Sequence, residues 1–192
     1  DGPLIPTVVT GFPPEWRDIE VASRAACDQN PLDWGDAEQR LRLRSYVWAD
    51  QVARLERLNA ALDLARAQGH KVEKADAAEW VRDKLSSDLP LGTSVIYHSV
   101  FYQYPPREVR HAIRDAIEEA GTRTTENRRL AWVRFEPEGV IGGQREHVRY
   151  VVNVVSWTAG RRSEETLAEV DSIQAGYDRL LDSEIADVNH IS

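Results

Sequence analysis

Apolar residues recur along the chain at helical spacing in two long segments, which predict the two main helices. One helix is expected over residues 50–68, with Gly69 as its C-cap and an apolar stripe of Val52, Leu55, Leu58, Leu62 and Ala65. Another is expected to start after Pro106 and close at Gly121, with a stripe of Val109, Ile113, Ile117 and Ala120. Shorter helices are expected over 36–46, with Asp33 as N-cap, and over 76–86.

Other segments have the β-branched or alternating composition of strands: residues 19–27, 71–75, 93–101, 129–136 and 147–157. Residues 93–101 are apolar nearly throughout, which is typical of a central strand covered on both faces. We expect its parallel neighbours to be residues 19–27 and 71–75. Residues 166–170 are either a last edge strand or the start of a C-terminal helix around 177–185.

This alternation predicts an α/β fold with a Rossmann-like, mostly parallel sheet. Helices are expected on both faces, and an antiparallel strand pair at the C-terminal end. Four prolines (Pro3, Pro6, Pro13, Pro14) predict an extended leader over residues 1–17, followed by one α/β domain over 18–192. The chain contains no Met, even at position 1, so we expect this domain to be the C-terminal portion of a longer protein.

The composition of the chain argues against several kinds of partner and site. The formal net charge of the 192 residues is −8, which argues against nucleic acid or an anionic membrane as partner. A single cysteine, Cys27, excludes an internal disulfide, and no apolar run is long enough to span a membrane, so we expect a cytoplasmic protein. Neither a G-x-G-x-x-G loop nor a P-loop occurs, and the histidines lack metal-ligand spacing, so no metal site is expected.

Ligands of open α/β sheets bind beyond the carboxyl ends of the strands, which selects Asp28, Asp76 and residues 98–104. Asp28 either binds the hydroxyls of a ribose or stabilises its own turn before Pro31. Asp76 either faces a ligand or caps the following helix. His98 is either an acid–base group or a buried polar contact.

Three further inferences concern neighbouring side chains. His98 and Ser99 point to opposite faces of a strand, so they cannot form a nucleophile–base pair. Arg44 and Trp48 lie four residues apart, so on a helix the guanidinium could lie on the indole and clamp a substrate. The alternative is an ordinary packed helix surface. The aromatic residues that follow His98, Tyr102 and Tyr104 among them, line either a site or the core.

Two segments, Asp28-x-Asn30-Pro31-Leu32-Asp33 and L-R-S-Y-V-W-A-D over residues 43–50, carry a resemblance to a bacterial family known as domain of unknown function 2332. The resemblance runs from about Val21 to Phe135. The family implies no established activity. Its members are longer at the amino end, where they carry a glycine-containing segment similar to a nucleotide-binding loop.

The order of the strand ends also resembles, more distantly, class I S-adenosylmethionine-dependent methyltransferases. That resemblance implies S-adenosylmethionine as cofactor, held by Asp28 and Asp76. It implies that His98 and Ser99 face the substrate. We expect His98 and Tyr102 as catalytic groups and Arg44, Trp48 and Tyr104 as substrate-binding residues. The glycine loop of that fold is missing from these 192 residues.

Two alternatives to a methyltransferase-like enzyme stay open. The first is a non-catalytic Rossmann-like binding or assembly module, and the second is a hydrolase that uses His98. The partners expected are a small-molecule ligand, an N-terminal half of the protein or a second copy of the chain.

Overall fold

The computed structural model describes residues 18–141 and 150–170. Their contacts form two compact units, which we call unit 1 (described residues up to Ala77) and unit 2 (from Ala78 onward). The extended leader predicted over residues 1–17 and the helix predicted around 177–185 lie outside the described residues.

Unit 1 contains two short strands and two helices: β1 (Cys27–Asp28), α1 (Ala37–Arg44), α2 (Val52–Gln68) and β2 (Glu73–Lys74). The strands pair in parallel with each other, with Cys27 opposite Glu73, in a two-stranded sheet of their own. The expectation that residues 19–27 and 71–75 are the parallel neighbours of residues 93–101 is therefore wrong. Both strands are shorter than the sequence predicts. Residues 18–26 form no strand within the described part of the chain.

The helix ends of unit 1 follow local capping chemistry. Asp36, not the predicted Asp33, is the N-cap of α1, because its Oδ1 accepts hydrogen bonds from the amides of Glu38 and Gln39. Asp33 instead closes a turn by accepting from Gly35 N at 2.8 Å. Gly69 ends α2 with a φ of 66°, as its predicted C-cap role requires.

Unit 2 is built on a four-stranded sheet. Its first helix, α3 (Ala77–Lys84), begins at the last residue of unit 1 in the sequence. The remaining elements are β3 (Gly92–Ser99), α4 (Arg107–Thr122), β4 (Arg128–Pro137), a 3₁₀ helix (Glu138–Val140), β5 (Tyr150–Thr158) and β6 (Arg161–Val170). The strand order is β3-β4-β5-β6. β3 and β4 are parallel, and the other two pairs are antiparallel.

One face of this sheet is covered, mainly by α4. Alternate residues of β4 and β5 are buried on it: Leu130, Trp132, Arg134, Glu136, Val151, Asn153, Val155 and Trp157. The α4 residues Ile113, Ile117 and Ala120 are buried against them. Gly121 allows close approach, since a Cβ there would lie 2.5 Å from the Trp157 ring.

The structure confirms a mixed α/β fold but corrects the position of the strongest strand. We expected residues 93–101 to be central and covered on both faces. Instead, β3 is the edge strand of the described sheet and pairs with β4. Val95 and Tyr97 are 56% and 65% exposed, because they alternate with the covered positions. The unbroken apolar run at residues 93–101 therefore did not indicate a strand that is covered on both faces of the sheet.

The C-terminal strands agree with the sequence pattern. β4 and β5 form the antiparallel pair that the glycine-containing connection predicts. Residues 166–170 belong to a strand, so the first of the two alternatives for this segment is correct. The sheet of unit 2 thus has one parallel pair and two antiparallel pairs.

Candidate functional site

A pair formed by a half-buried histidine and a buried glutamate lies at the carboxyl end of β3. Glu136, on the covered face of β4, is fully buried. Its Oε1 contacts His98 Nδ1 at 2.7 Å and accepts hydrogen bonds from the amides of Phe101 and Tyr102 at 2.9 and 3.0 Å. One carboxylate oxygen therefore binds both the last covered side chain of β3 and the loop that follows it. We call this arrangement the His98–Glu136 pair.

The loop after β3 has a strained conformation. Val100 has a φ of 49°, in the left-handed region that β-branched residues rarely adopt. Its amide donates to the carbonyl of Phe135 at 2.8 Å, which continues the β3–β4 ladder by one residue. Such strain costs on the order of 1–3 kcal/mol and occurs often at functional sites. Here it turns the chain so that the next two amides face Glu136.

Aromatic rings enclose the His98 imidazole. Tyr102 stacks on it, with ring centroids 5.2 Å apart and an interplanar angle of 15°, and the Trp132 ring lies at 5.9 Å. The Tyr102 hydroxyl donates to the carbonyl of Arg110 at 2.5 Å, and burial raises the pKa of this hydroxyl. Tyr102 is therefore a neutral, anchored ring that fixes the plane of His98.

Electrostatics determine which nitrogen of His98 carries the proton. Burial by itself raises the pKa of Glu136, but the hydrogen bonds from His98, Phe101 and Tyr102 outweigh it and lower the pKa below its usual value. Glu136 is then an anion at neutral pH and accepts a hydrogen bond from the protonated Nδ1 of His98. Nε2 is buried and has no hydrogen-bond partner among the described residues. The same holds for Glu136 Oε2.

A second polar cluster lies beside the pair on the covered face. Arg134 donates through Nε to Asn153 Oδ1 at 3.1 Å and through Nη2 to Glu164 Oε1 at 2.9 Å. Its guanidinium also lies 4.4 Å from the centroid of the Trp132 ring. Burial lowers the pKa of Arg134, and the Glu164 carboxylate opposes that change. The charge of Arg134 is thus balanced by Glu164, and Glu136 is stabilised by His98 and the backbone.

The predicted cofactor residues lie in unit 1, at one end of the parallel pair. Asp28 ends β1 and Asp76 follows β2, and the amide of Ala75 donates to the carbonyl of Asp28 at 3.1 Å. The Asp28 side chain accepts from Asn30 N at 2.7 Å, which is the turn-stabilising alternative. His98 and Tyr102 lie together in unit 2.

The predicted Arg44–Trp48 clamp is not formed. α1 ends at Arg44, so Trp48 lies beyond the helix and the four-residue spacing does not bring it onto the same helix face. Arg44 donates to Asn59 Oδ1 on α2 at 2.7 Å, and Trp48 is 76% exposed. Tyr104 is also exposed, in a turn after β3. Substrate binding by these three residues stays a prediction.

Sequence analysis missed Glu136, the residue that organises the site. The signal was present in β4, where Arg134 and Glu136 continue the alternation of Leu130 and Trp132. Charged residues at two inward positions of a strand require buried partners, which marks them for attention. Their partners come from other strands, and only the fold brings those strands together. Ser99 is exposed while His98 is covered, so the prediction of opposite faces is confirmed.

Neither a metal site nor a membrane-spanning helix is found in the part of the chain that the structure describes. Among residues 18–141 and 150–170, no group of three or more His, Cys, Asp or Glu side chains is arranged to hold a metal ion. No described helix is both long and apolar enough to cross a bilayer.

The fold and the site define a mixed α/β protein with an oriented, half-buried histidine at the carboxyl end of a strand. The chain belongs to a bacterial family described as "Uncharacterized protein conserved in bacteria (DUF2332)", whose model matches residues 3–173. The resemblance drawn from Asp28–Asp33 and residues 43–50 is thereby confirmed. No curated protein and no solved structure matches the chain, and the methyltransferase resemblance is not supported.

Proposed function

We propose that the protein binds a small molecule beside the carboxyl end of β3 and that His98 accepts a proton from it. The observation that supports this proposal is the 2.7 Å contact between His98 Nδ1 and the buried Glu136 carboxylate. A carboxylate on one ring nitrogen fixes the tautomer and leaves the other nitrogen as the proton acceptor. The unpartnered Nε2 is that acceptor.

Tyr102 has a positioning role in this proposal rather than the catalytic role expected from the sequence. Its hydroxyl is committed to the Arg110 carbonyl, and its ring stacks on His98. A stacked ring restricts the rotation of the imidazole. The strain at Val100 and the two amides on Glu136 supply the same restraint through the backbone.

Methyl transfer from S-adenosylmethionine is the reaction class we propose for this base. Hydroxyl and amine acceptors lose a proton when they are alkylated, so an oriented base suits the chemistry. The antiparallel pair β4–β5, which follows the parallel pair β3–β4, is the one feature of the expected sheet that supports this proposal. The side chain of Asp28 fits a ribose poorly while it caps its own turn, so no step is assigned to the cofactor.

We propose that this reaction takes place in the cytoplasm, where the single cysteine, Cys27, stays reduced.

A non-catalytic binding or assembly module is the alternative to an enzyme. It is favoured by the burial of Nε2, since a buried histidine also serves as a structural contact.

The experiment measures S-adenosylhomocysteine formation by mass spectrometry. The protein is incubated with S-adenosylmethionine and the low-molecular-mass fraction of a bacterial extract as the pool of acceptors. We expect product with the wild type, and about a 10²–10⁴-fold lower rate with His98→Gln, the range that a general base supplies. His111→Gln is the matched control, because His111 lies on α4 beside Arg107 and outside the pair.

Two outcomes contradict parts of the proposal. Equal rates for His98→Gln and the wild type would exclude His98 as the base. No product, together with no heat of S-adenosylmethionine binding in calorimetry, would exclude methyl transfer and favour the non-catalytic module.

A further inference from the structure

A second candidate site lies in unit 1, in a cavity of about 310 Å³ between the loop after β1 and the end of α2. The lining includes Pro31, Asp33, Trp34, Arg66, His70, Lys71 and Val72. We call it the Trp34 cavity. Small-molecule pockets in proteins start at about 300 Å³, so its size suits a compact ligand.

The Trp34 cavity has a fixed aromatic wall. Trp34 Nε1 donates to the carbonyl of His70 at 2.9 Å, so the indole cannot rotate freely. This hydrogen bond joins two walls of the cavity that are 36 residues apart in the sequence. Gly69 makes the turn before His70 possible, because its φ of 66° favours glycine. A rigid indole with the apolar Pro31 and Val72 nearby offers a surface for a flat ring.

The ionic lining of the cavity is basic, in a chain whose net charge is −8. Arg66 and Lys71 contribute two cations, while Asp33 contributes one carboxylate. Asp33 directs its Oδ1 toward its own turn, where Gly35 N donates to it at 2.8 Å. Neither Arg66 nor Lys71 forms an ion pair with any residue in the described ranges. Arg66 acts electrostatically on the Asp63 carboxylate, but that carboxylate is paired with Arg40 at 2.6 Å, so the charges of Arg66 and Lys71 can still attract an anion.

We propose that the Trp34 cavity binds a small organic anion that carries a flat ring. Arg66 and Lys71 would hold its carboxylate or phosphate, and the Trp34 indole would pack against its ring. Both cations are exposed side chains, whereas Trp34 and His70 are half-buried. The proposal is independent of the His98–Glu136 pair, which lies in unit 2.

The experiment titrates phenyl phosphate and benzoate into the protein and follows the indole N–H signals by ¹H–¹⁵N spectroscopy. Two matched probes serve as controls: inorganic phosphate, which lacks the ring, and phenol, which lacks the charge. We expect saturable shifts of the Trp34 signal at up to about 10 mM ligand, a range that weak fragments reach. The other tryptophans serve as internal controls. Phosphate alone and phenol alone should each bind at least about tenfold more weakly.

Charge variants test the role of the cations. The double variant R66Q/K71Q should weaken phenyl phosphate binding at least about tenfold, since it removes both charges. Lys74→Gln is the control, because Lys74 lies in β2 and outside the cavity lining. Both cations are exposed, and far-UV circular dichroism checks that each variant is folded. An unmoved Trp34 signal, equal binding by the double variant or equal binding of phenol would overturn the proposal.

Discussion

Replacing Glu136 with glutamine removes the negative charge on which the loop after β3 depends. The side chain is fully buried, and its Oε1 takes part in three hydrogen bonds, from His98, Phe101 and Tyr102. Glutamine keeps the shape and one acceptor oxygen. It loses the charge, and its amide nitrogen occupies the place of an oxygen that has no partner among the described residues.

The magnitude follows from the difference between charged and neutral hydrogen bonds. A bond to a charged acceptor contributes about 1.5–3 kcal/mol and a neutral bond about 0.5–1.5 kcal/mol, so three bonds lose roughly 3 kcal/mol. A neutral amide costs less to bury than a carboxylate, which offsets part of that loss. We expect Glu136→Gln to lower the free energy of unfolding of unit 2 by about 1–3 kcal/mol at neutral pH.

The sign of the pH dependence follows from the lowered pKa of Glu136. The carboxylate stabilises the fold above the ordinary pKa of 4.5. This contribution is lost as the pH falls below that value and through the lower pKa of the folded state. The glutamine variant has no such contribution to lose. The stability difference between the two proteins should therefore shrink progressively as the pH falls below 4.5.

Urea unfolding at several pH values measures this difference, with hydrogen exchange at the amides of Phe101 and Tyr102 as a local readout. Glu119→Gln is the matched control, since Glu119 is exposed and pairs with Arg123 at 3.0 Å on one face of α4. It should cost at most about 0.5 kcal/mol. A Glu136→Gln variant as stable as the wild type, with the same pH dependence and unchanged exchange, would refute the reasoning.

Three further substitutions test the packing around the site by thermal melting. Gly121→Ala should lower the free energy of unfolding by about 1–3 kcal/mol, because the added Cβ would lie 2.5 Å from the Trp157 ring. Alanine has the better helix propensity, so a gain in stability would contradict this prediction. Val100→Gly should lower the free energy of unfolding by about 1 kcal/mol less than Val95→Gly does, because glycine relieves the strain of a φ of 49°. An equal or larger loss of stability would show that the loop is not strained. Tyr102→Phe should lose about 1 kcal/mol by removing the 2.5 Å hydrogen bond to the Arg110 carbonyl, and an unchanged melting temperature would remove that bond from the account.

Local signals in the sequence predicted the elements well where the cause is local. The Gly69 cap ends α2 as expected, and the stripe of Ile113, Ile117 and Ala120 on α4 is buried. The N-cap of α1 was misplaced by three residues, because Asp33 and Asp36 are both good caps and the choice between them depends on the turn at Gly35.

Non-local features were predicted less well. The apolar run at 93–101 predicted a central strand, yet pairing partners decide which strand is at an edge, and β3 pairs with β4 alone among the described strands. His98 was selected correctly as a residue at a strand end. Its partner Glu136 was missed because the parallel register of β3 and β4, with His98 opposite Arg134, joins residues 38 positions apart.

The central claim is that an ionised Glu136 holds the proton of His98 on Nδ1 and leaves Nε2 as the acceptor. Long-range ¹H–¹⁵N correlation spectroscopy of the histidine rings measures this directly. The account predicts that the proton remaining on the neutral His98 ring is on Nδ1, and that Glu136→Gln weakens this preference while His111 is unaffected. A neutral His98 ring protonated on Nε2, with Nδ1 bare beside Glu136, would contradict it.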